Sequence, residues 1–124
     1  MRAFARTLAT CVVATLLLAV PASAAAPEAG AAGNCSVRGK ERSLGASYVL
    51  KLSTRRVTCA NARDFVKRYH RCRFRNGGRK GRCTRLSRFR CEERRFNRID
   101  ISYDANVLCT RGAKRIRHTY TQLT

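Results

Sequence analysis

The chain has 124 residues, 27 Lys+Arg against 7 Asp+Glu, a formal net charge of +20 and seven cysteines. That length excludes more than one ordinary domain. So few acids leave little material for calcium sites or carboxylate-pair catalysis, and the chain has no tryptophan to stack on a base.

The N-terminus reads as an export signal. Arg2 and Arg6 precede an apolar run from Leu8 to Val20, which Pro21 ends. Ala22-Ser23-Ala24 is a small-residue cleavage site. The run is short for a hydrocarbon core of ~30 Å, so residues 1–24 read as a cleaved signal rather than an anchor. No later stretch is apolar enough to span a membrane. A mature chain starting near Ala25 carries 25 basic and 7 acidic residues, a formal net of +18. Residues 25–34 are rich in Ala and Gly and read as a disordered leader. The folded domain is expected over 35–124.

Cleavage removes Cys11 and leaves Cys35, Cys59, Cys72, Cys83, Cys91 and Cys109. An even set in a short exported chain predicts three disulfides. At ~2–4 kcal/mol each, such bridges would hold a small core together against its own charge. Zinc fits poorly: the intervals between the last five cysteines hold 12, 10, 7 and 17 residues, with no Cys-x-x-Cys bite. Neither a metal nor a cofactor is expected.

In chain order, Tyr48 to Leu52 reads as a strand with Tyr48, Leu50 and Leu52 on one face. Thr58 to about His70 reads as a helix capped by Thr58, with Cys59, Ala62, Phe65, Val66 and Tyr69 in one apolar stripe. Arg73 to Arg85, with Asn76-Gly77-Gly78 and Gly81, reads as a flexible basic loop that Cys72 and Cys83 bracket and can close. Leu86 to Glu93 reads as a strand with Phe89 and Cys91 inward and Arg88, Arg90 and Glu92 outward. Alternation continues through Ile99, Ile101 and Tyr103, and a hairpin about Arg111-Gly112 joins Val107–Thr110 to Lys114–Thr121. The expected fold is a small two-layer α+β domain: one N-terminal helix on a 3–4-stranded antiparallel sheet, stapled by disulfides, with one sheet face open to water.

Val57-Thr-Cys-Ala-Asn-Ala-Arg63 at a helix start, Phe89-Arg-Cys91, and Val107-Leu-Cys-Thr-Arg-Gly112 before Arg115-Ile-Arg117 together resemble small secreted basic proteins of GC-rich bacteria, a group to which no single function attaches. The resemblance covers about Tyr48 to Tyr120. It implies a helix start tied by a disulfide to a strand, and no catalytic residues; Cys35 and Cys83 are additions to its simpler pattern. Six cysteines allow fifteen connectivities, and spacing does not choose among them. One arrangement, Cys59–Cys109, Cys72–Cys91 and Cys35–Cys83, would tie the helix start to a late strand.

Charge is concentrated: Arg63 to Arg98 holds 15 Lys+Arg and 3 acids. Arginine outnumbers lysine 22 to 5, which suits bidentate contact with phosphate or carboxylate but also follows from GC-rich codon usage. The candidate polyanion-binding residues are Arg88, Arg90, Arg115 and Arg117 on the open sheet face, with Arg73, Arg75, Arg79, Lys80, Arg82 and Arg85 from the loop at its rim. An extracellular polyanion is the expected partner, whether cell-wall polymer, anionic lipid or nucleic acid, and the protein is expected to be a monomer.

An enzymatic alternative rests on the two histidines, His70 and His118, arranged as in a secreted ribonuclease with one acid, one base and a cation for the phosphorane. No local motif supports it, and both sit on apolar faces. No nucleophile elbow, phosphate loop or HExxH occurs. The domain is therefore expected to be non-enzymatic. An antimicrobial or proteinase-inhibitor role is a third option for a stapled scaffold.

Overall fold

The structure, a computed structural model, describes residues 32–124. The signal segment and most of the leader lie outside the described residues. One antiparallel sheet organises the rest. Strands β1 (Ala32–Cys35) and β2 (Tyr48–Arg55) precede helix α1 (Cys59–Arg75). A short 3-10 turn (Gly78–Lys80) leads to β3 (Arg85–Leu86), β4 (Phe89–Ile99), β5 (Ser102–Arg111) and β6 (Lys114–Leu123). All six strands form one sheet in the order β1-β2-β6-β5-β4-β3, and every pairing is antiparallel.

This corrects the expected sheet of three or four strands and the N-terminal helix: there are six strands, and the helix follows two of them. Both edge strands lack a readable pattern. β1 is Ala-Gly-Asn-Cys and takes in three residues assigned to the leader; β3 has only two residues. The strand expected over Ile99–Tyr103 is also revised. β4 runs unbroken to Ile99, and the chain reverses about Asp100–Ile101, leaving Ile99 and Ile101 65% and 67% exposed.

The helix forms where its stripe and cap predict. Thr58 Oγ1 accepts from Asn61 N–H at 3.3 Å. Ala62, Phe65, Val66 and Tyr69 are buried against the sheet, and the helix runs past His70 to Arg75 because His70 and Arg73 continue the same buried stripe. Opposite them, Val49, Leu52, Phe89, Cys91, Tyr103, Ala105, Val107, Cys109, Ile116 and Tyr120 line the inner sheet face. A register shift between Val49 and Lys51 places Val49 and Leu52 inward and leaves Leu50 exposed, so the expected Tyr48/Leu50/Leu52 face does not form.

Three disulfides are present: Cys35–Cys59, Cys72–Cys83 and Cys91–Cys109. None of the pairs in the arrangement given above occurs. The helix start is tied to a strand, but that strand is β1. Cys72–Cys83 closes the basic loop onto the helix end. Cys91 and Cys109 stand directly opposite each other on β4 and β5, where register rather than chain spacing brings them together.

Candidate polyanion interface

Between helix and sheet lies a buried polar cluster. Arg73 has no exposed surface. Its guanidinium donates to the Arg79 carbonyl and the Tyr103 hydroxyl at 2.7 Å each, to Gln122 Oε1 at 2.6 Å and to His70 Nδ1 at 3.3 Å, and it lies 4.8 Å from the centre of the Tyr120 ring. Four neutral acceptors and an aromatic face take the place of a carboxylate here. The Glu93 side chain is only 4% exposed; it accepts from Tyr69 Oη at 2.7 Å, Tyr120 Oη at 2.9 Å and Arg95 Nε. Burial raises both tyrosine hydroxyls well above their ordinary range, and the Glu93 carboxylate adds to that shift.

His70 and His118 do come together, with ring centres 5.3 Å apart, but both are fully buried. His70 Nε2 and both ring nitrogens of His118 have no partner. Burial pushes His118 down to about 3 and holds His70 well below 6.5, with the Arg73 charge adding to both. Neutral imidazoles packed edge to face, with no surface of their own, offer a substrate no approach.

The basic loop lies on the helix side of the sheet. Carbonyls of Arg79, Lys80 and Gly81 accept bonds from the inward-facing Arg73, Tyr103 and Arg95. A Cβ at Gly81 would stand 2.0 Å from the Arg73 carbonyl oxygen, so glycine is required there to let the two backbones touch. Apart from Arg85, the loop cations therefore lie away from the open face at whose rim they were expected. Arg75, Arg79, Lys80 and Arg82 are exposed on the helix layer, with Arg82 also bonded to the Glu93 carbonyl. Arg73 is withdrawn into the core. Arg88 is in the β3–β4 turn with φ +64° and not on a strand face.

Arg85, Arg90, Arg115 and Arg117 do share the open face. Register places them in order. Arg85 opposes Arg90, Arg90 opposes Thr110, Thr110 opposes Arg115, and Arg115 opposes Arg55. One row perpendicular to the strands thus carries four arginines around a threonine. Arg117 lies in the next row, between Ser53 and Leu108. Arg55 was not foreseen, because the expected strand ended at Leu52.

The rows beyond differ in character. Thr119 donates to Asn106 at 2.7 Å, Thr121 to Asp104 at 2.6 Å, and Asn97 to Asp104 at 2.9 Å, so those side chains satisfy one another. Among the described residues the only ion pairs are Arg82–Glu93 and Arg95–Glu93. Among the described residues no carboxylate pairs with the arginine row, and the one acid beside it is Glu92 in the next row on β4. A groove of about 410 Å³ opens beside it, walled by Arg55, Arg115 and Arg117 and by the β1 segment Ala32–Asn34.

Comparison of the chain with protein-family models, curated proteins and solved structures returns no match. Among the described residues no helix is long and apolar enough to cross a membrane, and no group of three metal-ligating side chains occurs. Three disulfides are compatible with an extracellular location.

Proposed function

We propose that this is a secreted, non-enzymatic cationic domain that binds an extracellular polyanion through the open face of its sheet. The observation that carries the reading is the arginine row. Like charges set directly opposite each other on neighbouring strands destabilise a sheet, yet Arg55 faces Arg115 and Arg85 faces Arg90 with no carboxylate between them. A bound polyanion removes that repulsion and releases its own counterions. Burial of His70 and His118 weighs against the ribonuclease-like alternative, and the loop pinned between Cys72 and Cys83 lies against the helix layer rather than projecting as an inhibitor would.

Chromatography of the oxidised protein on immobilised heparin tests the reading. Elution well above ~0.15 M salt is expected, falling back by a clear step when Arg55, Arg90 and Arg115 are changed to glutamine. Elution of the wild type with a neutral control protein would remove the reading.

A further inference from the structure

We infer that the ligand is a flexible phosphodiester chain lying across the strands, along the row Arg85, Arg90, Thr110, Arg115 and Arg55, and held by its backbone rather than by pendant groups. This rests on the polyanion reading above and adds its direction, length and chemistry.

Direction follows from what neighbours each arginine. Moving along a strand from the row, the same face presents Glu92 after Arg90, Leu108 after Thr110 and Ser53 after Arg55; only Arg115 is followed by another cation, Arg117. An anionic chain running along β4 would meet Glu92 at once and one along β5 would meet Leu108, while along β2 or β6 the cations stop at two, Arg55 with Lys51 and Arg115 with Arg117. A chain running across them meets arginine on four of five strands and a hydroxyl donor at Thr110. Strands stand ~4.8 Å apart, so the row from β3 to β2 spans about 19 Å.

Chemistry follows from the opposed pairs. Directly opposite residues bring their Cβ atoms to about 5 Å, so one anionic group between Arg55 and Arg115 is shared by two guanidinium forks. A tetrahedral phosphodiester points its two free oxygens in different directions and can give one to each fork. A planar carboxylate matches a single fork. The groove beside Arg55, Arg115 and Arg117 leaves room for the sugar or polyol between successive phosphates. The row itself holds no aromatic side chain, since Tyr48 and Phe96 lie at the far end of the open face. Bases would gain no stacking there.

The test uses the full disulfide-bonded chain and fluorescent oligo-dT of increasing length, with an abasic phosphodiester oligomer of equal charge beside it. Two double variants are compared: Arg55→Gln with Arg115→Gln on the row, and Lys51→Gln with Arg94→Gln, which remove equal charge from the same face off the row. The row variant is expected to weaken binding at least about tenfold, as lost charge-assisted bonds do, and the off-row variant less than about threefold, as exposed charges do. The wild-type salt slope should be about −3, falling by about 1.4 in the row variant. Oligo-dT and the abasic oligomer should bind alike. Without ligand the row variant should melt higher than wild type, since a like-charge pair is gone, which shows that any lost binding is not lost folding.

Equal losses in the two variants would overturn the row and leave a diffuse cationic face, with the polyanion reading standing. Much weaker binding of the abasic oligomer would overturn backbone recognition in favour of nucleic-acid bases. Retention on heparin with no binding of either oligomer would overturn the phosphodiester assignment alone. No binding to any polyanion would remove both readings.

Discussion

His70 of α1 and His118 of β6 meet edge to face with ring centres 5.3 Å apart, and neither reaches solvent. Each can be neutral in this setting, and neither can readily be charged. A second proton would place a cation beside Arg73, whose guanidinium already donates to His70. Gly45 closes the cluster from outside: a Cβ there would stand 2.8 Å from that of His70.

Acid sensitivity follows. An unfolded histidine takes up its proton near pH 6.5. In the folded chain His118 waits until about 3, and His70 is also held well below 6.5. Between those limits the unfolded state binds more protons, so stability is full above pH ~6.5 and falls as pH drops toward 3. Each histidine contributes a slope of up to about 1.4 kcal/mol per pH unit. Urea midpoints measured from pH 7 to 4 should fall steadily, and His118→Phe should flatten that fall by about half. A flat wild-type profile would contradict it. At the other end Tyr69 and Tyr120, held protonated by burial and Glu93, make stability fall again above pH ~10, where the unfolded tyrosines ionise.

Arg73 is the next test of the buried cluster. Arg73→Met keeps much of the stem but leaves Gln122 Oε1 and His70 Nδ1 without a donor, while the Arg79 carbonyl keeps the Tyr103 hydroxyl. At about 1–3 kcal/mol for each of these two buried groups left unpaired, a total loss of at least about 2 kcal/mol is expected. Arg73→Lys should rescue little, because an ammonium cannot reach four acceptors set around a planar fork. Thermal unfolding reads both; a loss under about 1 kcal/mol for Arg73→Met would mean that the network contributes little.

Much of this was legible in the sequence. The helix cap, the stripe from Ala62 to Tyr69, the inward Ile116, His118 and Tyr120, and the opposite orientations of Glu92 and Glu93 all follow from period alone. Arg73 lies four residues beyond Tyr69 on the same stripe, but an arginine beside Asn76-Gly77-Gly78 reads as a loop cation, so residue type and position conflict there. The arginine row was half visible. Strand alternation puts Arg90, Arg115 and Arg117 on one face, but the alignment of Arg90 with Arg115 across Thr110 depends on register, which the β4–β5 and β5–β6 turns set. Cys91 and Cys109 lie nine residues either side of Asp100, so a hairpin centred there would have paired them. Reading Ile99 to Tyr103 as a strand hid that centre. β1 and β3 have no periodicity to read: each exists because the neighbouring strand offers an edge.

The three bridges close sequence separations of 24, 11 and 18 residues. On chain entropy those loops contribute about 3.4, 2.8 and 3.2 kcal/mol respectively, so no bridge dominates. Replacing both cysteines of any one pair by alanine should lower stability by roughly 3 kcal/mol. Loss of Cys35–Cys59 alone should also free the β1 edge, read as faster amide exchange at Gly33 and Asn34. Peptide mapping of the oxidised protein should recover Cys35–Cys59, Cys72–Cys83 and Cys91–Cys109; any Cys59–Cys109 peptide would contradict this topology.

The β3–β4 turn offers a stabilising change. Leu86 pairs with Phe89, leaving Ser87 and Arg88 as a two-residue loop with φ +48° and +64°. Both central residues in the left-handed region make a turn of the type that suits a right-twisted hairpin and favours Asn-Gly. Neither serine nor arginine adopts that region at low cost. Ser87→Asn with Arg88→Gly should therefore raise stability by about 1 kcal/mol, a rise in Tm of roughly 4–8 °C for a domain of this size. The gain is offset in part by the lost bond from Arg68 Nη1 to Ser87 Oγ, 3.0 Å long and solvent-exposed. Making Arg88→Gly alone keeps that bond and should give most of the rise. A fall in Tm for the single change would show that the Arg88 side chain stabilises the turn in a way its backbone conformation does not account for.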